Sequence, residues 1–181
     1  MDTSHDLHDD DVLVATLGQA QPRPVDKLAA LKRPFKFRVR KFDEAQEAAA
    51  VELYCRKYVP TVADSFIKVF GNMRQELASQ QGQERETWLQ VMRIGDVALV
   101  GVPAEYFTGL GVDIKNRSPF PDTYVAELAN DWIGYLPDQE AHRLGGYQTW
   151  MGLHSYAAIG TGERIADEVV KMLEELKQAP R

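Results

Sequence analysis

The chain has 181 residues, enough for one domain, and its 44% hydrophobic and 27% charged residues are those of a soluble packed protein, which excludes disorder or a fibrous architecture for the bulk of it. A formal charge of -6 excludes general nucleic-acid binding, which needs clustered positive charge to displace counterions from phosphates. Cys55 is the sole cysteine, so no intrachain disulfide can form, and no apolar run approaches the roughly 20 residues that span a bilayer.

Residues 1–30 read as a polar leader or linker: an acidic start, a short apolar stretch from Val12 to Leu17, then a segment with prolines at Pro22 and Pro24. The acidic Met1 to Asp11 has no signal-peptide pattern. The expectation is a cytoplasmic chain as it stands, exported only from a longer precursor. His5 and His8 fall in this leader and read as part of a polar tail.

Phe35, Phe37, Val39 and Phe42 recur close to every second residue and predict a half-buried strand. The basic residues among them, Lys32, Arg33, Lys36, Arg38, Arg40 and Lys41, read as its solvated face. Asp43 is placed to cap a helix over Glu44 to Tyr58, which Pro60 ends, and Phe66, Val69, Phe70, Met73 and Leu77 predict a second amphipathic helix from Thr61 to about Gln80. Two apolar runs, Trp88 to Ile94 and Val97 to Val102, flank Gly95-Asp96 and predict a hairpin whose second strand is buried on both faces. A helix is expected from about Glu105 to Lys115, a strand from Thr123 to Leu128, and a short helix from Pro137 to Leu144 stopped by Gly145-Gly146. The last element is a helix over Gly162 to Gln178, with Ile165, Val169, Met172, Leu173 and Leu176 as its apolar stripe. Strands alternating with helices predict an α/β domain, a mixed β-sheet with flanking helices.

Side chains at strand ends converge on crevices in α/β proteins, so two such ends draw the eye. At the first, Glu105 follows Val102-Pro103-Ala104; on spacing alone it reads as an acid at a helix N-terminus. At the second, Asn130-Asp131-Trp132-Ile133-Gly134-Tyr135 has the composition of a turn with packing aromatics. His142, on a short polar helix, reads as a surface residue, and His154 follows Tyr147 closely enough to approach a pocket there.

Together the segments VPAEYF (Val102 to Phe107), IKNRSPFP (Ile114 to Pro121), ELANDWIGYLP (Glu127 to Pro137) and GGYQ (Gly145 to Gln148) resemble the neutral and alkaline, non-lysosomal ceramidase family, especially its shorter bacterial-type relatives. Weaker similarity runs through FKFRVRKFDE, WLQVMRIGDVALVG and GTGERI. The resemblance covers residues 31–181 as the C-terminal portion of that family's catalytic domain, and so implies an incomplete domain. It implies a zinc amidohydrolase that cleaves an N-acyl, ceramide-like amide bond. In the family, two early histidines, a glutamate and a tyrosine hold zinc. Glu105 matches the glutamate, with Ala104 in place of the usual glycine, and Tyr135 matches the tyrosine. Tyr147, twelve positions beyond Tyr135, matches a tyrosine that polarises the scissile carbonyl. Asn130 and Asp131 would support these groups from behind.

Nothing in the aligned part matches the two histidines. The resemblance therefore implies zinc in a complete protein and an inactive chain in isolation, unless a missing N-terminal half or a self-associating copy completes it. Its substrate would be an N-acylated lipid or a related amide. The alternatives are a non-catalytic α/β interaction module and a truncated or split gene product.

Overall fold

The computed structural model describes residues 9–22 and 24–178. His5 and His8 lie outside the described residues. Among the described residues six α-helices and six strands follow in the order α1 (Asp9–Gln19), β1 (Leu28–Arg38), α2 (Glu44–Tyr58), α3 (Ala63–Leu77), β2 (Glu84–Ile94), β3 (Val97–Gly101), β4 (Glu105–Tyr106), α4 (Thr108–Arg117), β5 (Asp122–Ala126), β6 (Tyr135–Leu136), α5 (Gln139–Leu144) and α6 (Thr161–Gln178). No helix among the described residues is long and apolar enough to cross a membrane.

A four-stranded sheet runs in the order β1-β2-β3-β5. The first three strands pair antiparallel, and β5 lies parallel to β3, so the sheet is mixed and the fold is α/β, as the alternating pattern predicts. The β2–β3 hairpin closes at Ile94 opposite Val97, with Gly95 at φ 61, the left-handed value a tight hairpin turn needs at its first central residue. One face of the sheet presents Phe35, Phe37, Leu89, Val91, Ala98 and Val100 to Ile165, Val169, Met172 and Leu173 of α6 and to Ile114 of α4. Burying such residues is worth about 1.5–3 kcal/mol each, and this seam holds the domain together. Arg33 adds bonds to Glu168 at 2.8 Å and Glu175 at 2.7 Å across the same face.

The two helices α2 and α3 pack on each other around Val51, Cys55, Phe70 and Trp150. The carboxylate of Asp43 caps α2 by accepting the Gln46 N–H at 2.9 Å. In α3, Phe70, Arg74 and Leu77 form the buried stripe.

Four expectations need correction. The first strand begins at Leu28 rather than near Phe35 and runs through Pro34, which an outermost strand tolerates because only one side of it is paired. On β3, Val97 and Leu99 are only half-buried, because helices cover one face of the sheet and not the other. The basic run is not uniformly solvated. Lys32, Lys36 and Arg38 are exposed, but Arg40 is buried, since beyond β1 the chain bridges Val39 to Ala157 and turns inward. Lastly, α4 starts at Thr108, and Glu105 belongs to a strand.

Candidate functional site

The strand β4 comprises two residues, as does β6, and they pair parallel with Glu105 opposite Tyr135 and Tyr106 opposite Leu136. This pairing is what displaces the helix start from Glu105. The Glu105 N–H donates to the Gly134 carbonyl at 3.1 Å and the Phe107 N–H to the Leu136 carbonyl at 3.3 Å, which ties this stretch to β6 as extended strand, and the helix begins only beyond it. The loop before β6 is stitched to the same segment: Ala129 N–H donates to Val102 and Ile133 N–H to Pro103, at 2.9 and 2.8 Å. On the far side of β6 the Tyr135 N–H donates to the His154 carbonyl at 2.7 Å. Three stretches far apart in the chain are thus locked together by backbone bonds.

That lock brings together the Glu105, Tyr135 and Tyr147 side chains, which the sequence places thirty and twelve residues apart. The Glu105 carboxylate accepts from the Tyr135 phenol, and this bond, aided by partial burial and the negative charge of Glu105, pushes the phenol up to about 12. Tyr135 is therefore a neutral hydroxyl at pH 7. The Tyr147 ring meets that of Tyr135 edge to face at 5.8 Å and stacks on His154 at 4.9 Å. A cleft of about 370 Å³ opens here, lined by Glu105, Thr108, Glu127, Tyr135 and Gln148 among others.

His154 is buried beneath Tyr147, with Phe70 edge to face against it at 5.1 Å. Its Nε2 lies 3.0 Å from the Tyr147 carbonyl oxygen, an acceptor, so Nε2 carries the proton and Nδ1 is the bare nitrogen. That Nδ1 is buried without a partner and sits against Gly152, not against Glu105. Burial holds the imidazole below its ordinary range. His154 is a wall of the site rather than a residue of the cleft.

Asp131 accepts the Thr87 hydroxyl at 2.8 Å and the Trp132 backbone N–H at 2.8 Å. It fixes Trp132, whose indole N–H reaches the Glu105 carboxylate at 3.4 Å. Asn130 takes φ 72, a left-handed value that asparagine tolerates better than most residues, and its side-chain amide lies close over Gly101. The sequence gives Trp132 only as a packing aromatic of the turn, and Glu127 and Gln148 only as members of the family-like segments; the structure places all three at the site. For Trp132 the available signal was an aromatic directly after a turn-forming Asn-Asp pair. His142, read as a surface residue, is half-buried beside Arg40, with 3.2 Å between Nδ1 and the guanidinium Nη1.

Two oxygen donors, Glu105 and Tyr135, do not hold a zinc ion unaided, because zinc sites take three or four ligands and favour imidazole and thiolate. Among the described residues no group of three or more His, Cys, Asp or Glu side chains is placed to hold a metal ion. The donors present do not by themselves fit zinc.

No sequence-family model and no curated protein matches this chain. Among solved structures it is similar to the neutral ceramidase from Pseudomonas aeruginosa, with a TM-score of 0.56 and 16% identity over 91% of this chain. A ceramidase complexed with C2 is also similar over 51% of this chain, at 21% identity and a TM-score of 0.46. The chain spans 31% and 15% of the length of those two proteins. At this level of identity the likeness is one of fold: the chain has a neutral ceramidase-like architecture.

Proposed function

We propose that this ceramidase-like fold supplies one part of the active centre of an amidohydrolase acting on an N-acyl, ceramide-like amide bond. The observation that carries the reading is the register of Glu105 against Tyr135, both lining one cleft, with the Tyr147 ring edge to face against Tyr135. In a complete enzyme Glu105 and Tyr135 would serve as oxygen ligands of a zinc ion, with imidazole ligands coming from residues other than those grouped here. The chain's own contribution to chemistry is positional and electrostatic. The Tyr147 hydroxyl donates a hydrogen bond to the scissile carbonyl as negative charge develops on its oxygen, an effect worth roughly 3–4 kcal/mol per well-aimed donor. Asp131 and Trp132 hold the Glu105 carboxylate in place, and the His154 ring backs the plane of Tyr147.

The exposed apolar side chains Phe66 and Val69 on α3 favour association with the complementary part of such an enzyme, or with a second copy of this chain. Zinc content and N-acyl hydrolysis of the purified chain test the reading. The expected result is substoichiometric zinc and no turnover alone, with both restored by a polypeptide bearing the imidazole ligands. Tight stoichiometric zinc in this chain alone would refute the divided centre, and failure of every complementing polypeptide would refute the catalytic role.

A further inference from the structure

The cleft beside Glu105 is not the largest. A second one, of about 630 Å³, opens between α2 and the turn around Gly145, Gly146 and Trp150, and the two share no lining residue. Its size falls within the range of small-molecule sites. Arg40 lines it and is only 7% exposed. One guanidinium nitrogen, Nη2, donates to the Ser155 carbonyl at 3.1 Å; another, Nη1, lies 3.2 Å from Nδ1 of His142. Nε has no partner.

No carboxylate among the described residues comes within ion-pair distance of Arg40. Glu47 is near enough for its charge to be felt, but its Oε2 accepts the Met151 N–H at 3.0 Å. A guanidinium cannot shed its proton, so a buried one without a counter-ion is held at a cost that an incoming anion would relieve. Lys41 and Lys57 add positive charge along the same cleft, against Asp43 and Glu47. The rim is of opposite character. Leu53 is 73% exposed, Tyr58 and Ile159 are exposed as well, and Tyr54 meets Trp150 edge to face at 5.0 Å. Apolar side chains left in water around a buried cation describe the complement of an amphiphilic anion.

We infer that this second cleft binds an organic monocarboxylate with an apolar tail, its carboxylate on Arg40 and its tail along Leu53, Tyr54, Tyr58 and Trp150. The site stands apart from the Glu105 cleft and does not depend on amide hydrolysis there.

Isothermal titration of the full chain with decanoate, decanol and acetate, all below micellar concentrations, separates charge from tail. Decanoate is expected to bind at least about tenfold tighter than either of the others, a difference of about 1.4 kcal/mol. The imidazole resonances of His142, which touches Arg40, should move on decanoate binding and not with acetate or decanol. Arg40→Gln should erase the preference for decanoate over decanol. Because Arg40 is buried and its loss can unfold the protein, Leu53→Asp on the exposed rim provides a second arm, expected to weaken decanoate at least about tenfold with the fold unchanged by circular dichroism. Equal affinity for decanoate and decanol, no decanoate binding, or binding that leaves the His142 resonances unmoved would each overturn the inference.

Discussion

The carbonyl of His154 occupies the space that a side chain on Gly134 would need: a Cβ there would overlap both its oxygen and its carbon. Gly134 also sits at φ 83, a left-handed value costly to any residue with a Cβ. Gly134→Ala is expected to lose about 2–4 kcal/mol in urea denaturation. The Tyr135 to His154 backbone bond should open with it, seen as faster amide exchange at Tyr135.

Tyr147→Phe keeps the ring that stacks on His154 and removes only a hydroxyl. Stability should change by less than about 1 kcal/mol. In a complemented, active enzyme, turnover should fall roughly 10²–10³-fold with little change in KM. A variant that loses stability but keeps turnover would assign Tyr147 a packing role alone.

Glu44 holds Arg74 through both its Nε and its Nη2, each at 2.9 Å, and Arg74 is 2% exposed. Glu44 is 59% exposed, so water can partly replace it, and Glu44→Ala is expected to cost about 1–2 kcal/mol. Arg74→Met removes the charge together with its need for a partner and should cost less. Urea midpoints of the two variants decide the order.

Burial, and then the neighbouring Arg40 charge, hold the His142 imidazole down to about 4, against an ordinary value of 6.5. Between those values the unfolded chain binds the proton and the folded one does not, so the His142 contribution to stability is full above pH 6.5 and is lost as pH falls toward 4. His142→Asn should flatten that part of the profile. The check is the difference between wild type and variant in urea midpoint at pH 7 and at pH 4.

Much of the scaffold was legible because it is written locally. The Asp43 cap, the Gly95-Asp96 hairpin and the α6 stripe each depend on residues within a few positions of one another, and each stands where the pattern puts it. Glu105 shows the limit. Its neighbours Tyr106, Phe107 and Leu110 have helical spacing, yet its N–H is claimed by Gly134, a partner no local pattern announces. Arg40 shows a second limit. It continues the basic alternation of β1, and only the bend after Arg38, set by contact with residues 155–158, turns it inward. The likeness of residues 101–148 to one family pointed to Glu105, Tyr135 and Tyr147, and the fold brings the three together. Trp132 reads locally as a packing aromatic, and its bond to Glu105 on β4, 27 residues away, is not written in its neighbours.

Pro34 has a bearing on how this protein would meet its own kind. An outermost strand is a template on which another chain can build, one amide after the next, and a residue with no N–H interrupts that template at its middle. Lys32, Lys36 and Arg38 then put charged side chains along the strand, Lys36 and Arg38 paired with Glu84 of β2, and charged side chains on an edge disfavour the addition of another chain. Growth of fibrils along β1 is therefore disfavoured, and aggregation on heating should begin instead from the exposed apolar side chains of α2 and α3.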